Sequence, residues 1–187
     1  MLKFIVLFLN LIPLFETPDS LVEKQTLFYY KSQYAGNLGL ISAGGGFDNP
    51  GKNFFGDISL GYLPKHINGV RVFTFSVKPA WEPFVFKLGE HEAGLYLGLA
   101  VNYSFGRNIF GSMPDYYPLD YYWPNAFRFN PFAGTRIGFN REKGRLHLYA
   151  ELGTVDYKIW FALKNKNIRL TDITNLGIGV MFTPFRH

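Results

Sequence analysis

The sequence contains no cysteine, which excludes disulfide scaffolds, thiolate metal sites and cysteine nucleophiles. Charge is scarce too. Asp, Glu, Lys and Arg together make up 18% of the 187 residues, against roughly 25% in an ordinary soluble domain. The excess of 19 basic over 14 acidic residues is small and comes without a basic run, so a nucleic-acid partner has no electrostatic footprint. No segment offers the roughly 20 apolar residues that a membrane-spanning helix requires, and the mean hydropathy is zero. Disorder is excluded as well, because a hydrophobic content of 48% supports a sizeable core. Abundance lies elsewhere, in 20 Phe, 12 Tyr, 3 Trp and 20 Gly. Many aromatics with little charge and neutral mean hydropathy suggest alternating strands, each with one apolar face.

The N-terminus reads as an export signal over residues 1–20, followed by a single domain over 21–187. Lys3 precedes the apolar run from Phe4 to Phe15, which only Asn10 and Pro13 interrupt, and Glu16, Thr17, Asp19 and Ser20 follow it. That run has the length of a signal-peptide apolar region and is too short for a helical span. A buried N-terminal strand or helix is the alternative. With no cysteine to carry a lipid, lipoprotein anchoring is excluded.

Eight period-2 runs follow, bounded by turn-rich clusters. They fall near 24–32, 36–46, 54–62, 70–82, 93–104, 128–140, 145–156 and 172–183. The clearest sets Leu95, Leu97, Leu99, Val101 and Tyr103 against Gly94, Tyr96, Gly98, Ala100, Asn102 and Ser104. Another sets Leu176, Ile178, Val180 and Phe182 against Asn175, Gly177, Gly179 and Met181. One face is large and apolar; the other is polar or glycine-rich. A soluble barrel shows its charges outside and hides its apolar face. Here the polar face is small and poor in charge, like a crowded interior. The apolar face has Tyr62, Trp81, Tyr103 and Tyr157 at or near strand ends, where an aromatic girdle would sit.

Connection lengths point the same way. The links 47–53, 89–92 and 141–144 are short and turn-like, whereas those at 105–127 and 157–171 are long. Short turns on one side and long loops on the other, with an even strand count and both termini on the turn side, is the pattern of a closed transmembrane barrel. The sequence thus predicts an all-β, eight-stranded, antiparallel up-and-down barrel. A lipocalin-like soluble barrel or a sandwich shows the same alternation, and in a soluble periplasmic barrel that binds an apolar ligand Leu97, Leu99, Ile178 and Val180 would point inward.

In these runs and links, residues 24–187 resemble the small eight-stranded outer-membrane β-barrels of Gram-negative bacteria. The resemblance is architectural and carries no diagnostic motif. It implies an outer-membrane location, contact with outer-membrane lipid, and no cofactor. Such barrels usually end on an aromatic residue that assembly machinery reads; here Phe185 stands two residues inside the terminus. Some relatives of this kind modify acyl chains of lipid A, and the deacylase among them carries a His two residues before its Ser. None of His66, His91, His147 and His187 is followed two positions later by Ser, so no catalytic residue is assigned. A lipid A-modifying enzyme with another site is the alternative function.

Two groups of residues stand out. Asp57, Lys78, Arg136, His147 and Glu151 have inward parity. Eight strands leave an interior just wide enough for side chains, so these five are expected to form a lumen polar network that pairs because an unpaired buried charge is costly. The second group is the loop Pro114–Pro124, in which Asp115, Tyr116 and Tyr117 are nearly repeated by Asp120, Tyr121, Tyr122 and Trp123. Rigid aromatics bury large area at low entropy cost, so this loop is the candidate site for a protein or glycan partner. Folding over the barrel mouth, or lying in the headgroup layer, are the structural alternatives. The stretch Tyr157–Lys164 reads as a short amphipathic helix on a membrane surface or a strand extension, its lysines near acidic headgroups. Ala43-Gly44-Gly45-Gly46 lacks the Lys-Ser/Thr of a phosphate loop, and no metal site is read.

Overall fold

The computed structural model describes residues 27–187 except 90, 108, 112–124, 166–167 and 186–187. The expected signal segment, residues 1–20, and the aromatic loop 114–124 therefore lie outside the described residues.

Eight strands form in the order expected: β1 (Leu27–Ala35), β2 (Ile41–Asn49), β3 (Phe54–Leu63), β4 (Val72–Leu88), β5 (His91–Gly106), β6 (Phe127–Arg141), β7 (Gly144–Thr154) and β8 (Thr174–Pro184). Each pairs antiparallel with its sequence neighbour, and β1 pairs with β8 to close the barrel. Closure removes both sheet edges, so every ladder group has a partner strand. Among the described residues three α-helices sit between strands, α1 (Lys65–Asn68), α2 (Asp156–Lys164) and α3 (Leu170–Ile173), besides a 3-10 turn at Pro50–Lys52. At one end the connections are 50–53, 89–90 and 142–143; at the other they are 36–40, 64–71, 107–126 and 155–173. We call these the turn end and the loop end.

Several boundaries differ from the sequence reading, for local reasons. β1 and β2 are shifted towards the C-terminus because the link between them is 36–40, where Gly36 and Gly39 take positive φ, a conformation that glycine adopts without strain. β4 runs past its expected end at 82 to Leu88 despite Pro79 and Pro83. A one-residue bulge between Trp81 and Phe84 takes up the irregularity, as bulges do where a proline removes a ladder donor. The 157–171 stretch is not a strand extension; it holds α2 and α3.

The parity of the faces is as the alternation requires. Leu97, Leu99, Ile178 and Val180 are 49%, 43%, 50% and 40% exposed on the outer wall. Inside, Tyr29, Phe55, Tyr96, Phe132, Tyr149 and Met181 form the apolar part of the core. Glycines on the inner wall make room for those rings: a Cβ on Gly46 would strike Tyr29, one on Gly134 would strike Tyr96, and one on Gly179 would strike Tyr149. Large side chains facing small ones fill most of a narrow interior.

Candidate functional site

All five charged or titratable residues given inward parity by the sequence are buried in the interior. They do not form one network. Lys78 bonds Glu151, which also accepts from the Tyr96 hydroxyl at 3.2 Å. Asp57 joins through Lys31, whose Nζ lies 2.8 Å from Asp57 and 3.5 Å from Glu151. Ser59 Oγ donates to the other oxygen of Asp57 at 2.8 Å. Two cations thus face two carboxylates, and each carboxylate has a further donor.

Arg136 belongs to a second cluster nearer the turn end. Its Nη1 donates to Asp48 at 2.6 Å, while Nε and Nη2 both donate to Glu82. Only a planar guanidinium serves two carboxylates in this forked way. Phe55 lies under it, 4.6 Å from ring centre to guanidinium carbon. His147 is buried at the same end without an ion pair among the described residues.

Lys31, Asp48 and Glu82 escaped the sequence reading, each for a different reason. Lys31 follows Leu27-Phe28-Tyr29-Tyr30, where aromatics on both faces hide the alternation; Tyr29 points in and Tyr30 out. Its parity with Tyr29 was the available signal. Asp48 lies in the stretch read as a turn, but β2 continues to Asn49. Glu82 sits at the β4 bulge, where its amide donates to the Asn53 carbonyl and its side chain turns inward. Glu82 keeps the inward parity of Lys78 and Ala80, so alternation within the 70–82 run was the available signal.

Towards the loop end no described interior residue beyond Lys78 and Glu151 carries a charge. Gln33, Asn37, Asn102, Asn130 and Asn175, together with Lys78 and Glu151, line a small cavity of about 20 Å³ there. Tyr149 donates to Gln33, and Asn175 to Asn37 at 2.6 Å. On the facing wall Ser76 Oγ, Asn102 Oδ1 and Asn130 Oδ1 are buried and make no hydrogen bond to a described residue.

This arrangement bears on the functional alternatives. An apolar ligand has no place in the interior, because the four leucine, isoleucine and valine side chains that would line its site face outward. A hydrolytic set of Ser104, His147 and Glu151 does not assemble either. His147 is level with Gly138 and, through it, with Glu92 of β5, whereas Ser104 lies twelve residues further along that strand, which is ~40 Å of extended chain. Ser104 instead meets Thr74, oxygen to oxygen 3.2 Å apart. No group of metal-ligating side chains occurs among the described residues.

No protein-family model and no curated protein matches the chain. Among solved structures, it is similar to the crystal structure of a major outer membrane protein from Thermus thermophilus, at 13% identity and a TM-score of 0.42, over 85% of this chain and 99% of that one. The barrel architecture rests on the strand pairing itself.

Proposed function

We propose that this protein is an integral outer-membrane β-barrel with a filled interior, whose loop end serves as a docking surface. The observation that carries this reading is the inverted distribution of polarity. The outer wall is a continuous apolar face, including Ile58, Leu60, Phe75, Val77, Leu95, Leu97, Leu148, Leu152, Leu176 and Ile178, while seven paired charges occupy the interior. In water such a wall would be an aggregation liability; in hydrocarbon it is the required surface. A membrane also demands closure, since an open edge has no water to satisfy it.

The test is heat-modifiable migration on a detergent gel together with fractionation. The expected result is a compact unheated form recovered with the outer membrane; a folded protein that stays soluble without detergent overturns the reading.

Docking through the 105–127 and 157–171 connections is the proposed role. A lumen plugged by ion pairs and rings provides no pore, and long aromatic loops commonly carry function. Asp115, Tyr116, Tyr117, Asp120, Tyr121, Tyr122 and Trp123 are the proposed contacts for a protein or glycan. Replacing Tyr121, Tyr122 and Trp123 with Ala should abolish binding of that partner in a pull-down from envelope extract and leave heat-modifiability intact.

A further inference from the structure

We infer that α2 and the adjoining rim of β6 form a binding site for the phosphate groups of a lipid headgroup at the loop end. The inference rests on the membrane reading above. Along α2, Tyr157, Trp160, Phe161 and Lys164 follow the i, i+3, i+4, i+7 spacing that places residues on one helical face. All four are exposed, Trp160 to 58%. Lys158, Ile159 and Ala162, on the other side of the helix, are half-buried. The helix therefore presents its aromatic stripe outward, the reverse of a helix packed on a core, where the apolar stripe is the buried one.

The stripe sits beside an aromatic band on the barrel wall. Tyr103 and Phe105 are in edge contact at 4.8 Å, as are Phe127 and Phe129 at 5.1 Å. The β5 and β6 pairs adjoin, because Tyr103 lies opposite Phe127. Phe129 ties this band to α2, since its amide donates to Asp156 at 3.3 Å. Tyr and Trp collect where one end of the ring meets apolar chains and the other meets headgroups.

Cations stand among these rings. Lys164 Nζ lies 4.4 Å over the Trp160 ring, and the Arg128 guanidinium 5.2 Å over Tyr157. Lys158, from the half-buried side of the same helix, adds a third positive charge, against which Asp156 is the one acid of the helix, 4.0 Å from Arg128 Nε. Aromatic rings flanked by an excess of positive charge match a phosphorylated lipid: rings against the acyl boundary, cations against the phosphates. A glycan without phosphate supplies no partner for the cations, and an acidic protein surface supplies none for rings at the level of the membrane band.

The experiment uses the full chain folded in detergent, with lipid A as the probe and its dephosphorylated form as the control, binding being read by native mass spectrometry. Each cation near an anionic headgroup is worth about fivefold in affinity. Arg128→Gln/Lys158→Gln/Lys164→Gln should weaken lipid A binding about 100-fold, and Lys158→Arg/Lys164→Arg should retain it. In parallel, Trp81→Phe/Trp123→Phe leaves Trp160 as the sole indole, whose fluorescence brominated lipids should quench in reconstituted vesicles. Equal affinity of the triple variant and the parent, equal binding of dephosphorylated lipid, displacement of lipid A by inorganic phosphate at equal concentration, or an unquenched Trp160 in an inserted protein overturns the inference. Heat-modifiability of each variant reports on folding, and failure of the parent chain to insert into vesicles at all overturns the membrane reading instead.

Discussion

The two halves of the barrel interior deal differently with polar groups removed from water. Towards the turn end and the middle, Lys31, Lys78 and Arg136 meet Asp48, Asp57, Glu82 and Glu151, and aromatic rings close over the pairs. Towards the loop end, Asn and Gln side chains line a small cavity that Lys78 and Glu151 also border, and three oxygens on one wall have no described protein partner. Both sets are buried to a similar degree, so the difference follows from charge. An ion deep in the barrel has no solvent to fall back on and must be neutralised in place. A buried carboxamide carries no net charge and needs only hydrogen bonds, and the cavity has the size and polarity to hold about one or two waters. The charged half is built to be rigid, while the neutral half tolerates change.

That contrast can be broken at its strongest point. Arg136→Met leaves Asp48 and Glu82 buried beside each other with no cation. Removing one partner of a buried pair costs about 3–5 kcal/mol, and here one removal orphans two carboxylates. Urea unfolding of the reconstituted barrel, followed by loss of the compact gel form, should fall in that range. A loss below about 1 kcal/mol would mean that water reaches this cluster and that the two halves are not distinct.

A middle-sized effect is expected at the inner-wall glycines. Gly134→Ala places a methyl group against the Tyr96 ring, whose hydroxyl donates to Glu151. Overpacking of this kind costs about 1–3 kcal/mol. The same unfolding experiment checks it, and the double variant Gly134→Ala/Tyr96→Phe should not recover the loss, because the ring itself is the obstacle.

The smallest effect belongs to the loop-end half. Asn102→Leu removes a buried oxygen that has no described protein partner, so little is lost and the change should stay within about 1 kcal/mol of the parent. If Asn102→Leu destabilises as much as Arg136→Met, the neutral half is as tightly determined as the charged one, and the comparison fails.

How much of this was legible before the fold was known differs between its parts. The outward set was fully legible, since side-chain direction in a strand alternates at each residue and needs no partner to determine it. Inward parity at Asp57, Lys78, Arg136, His147 and Glu151 followed from the same rule. Lys31, Asp48 and Glu82 obey the same alternation, and what hid them lay at strand ends and in aromatic runs. Ending β2 at 46 leaves out Asp48, whereas Glu82 lies at the last position of the 70–82 run, at the same parity as Lys78. From Phe28 to Lys31 the strand alternates, but rings on both faces conceal it, and Lys31 with it.

By itself, then, the sequence determined the number of strands, their two faces, the inequality of the two barrel ends and which face is apolar. These are local or additive properties, set by side-chain periodicity and the placing of turn residues. Only the tertiary structure decided which charge meets which. Lys31 and Glu151 come together because β1 and β7 both flank β8 in the closed barrel, and Arg136 reaches Asp48 and Glu82 across the lumen from a separate strand. Such pairings depend on closure and register over the whole circumference, which no window of the chain contains. The outward turn of the α2 aromatic stripe is of the same kind, for a helix acquires an inside only from the wall it is set against.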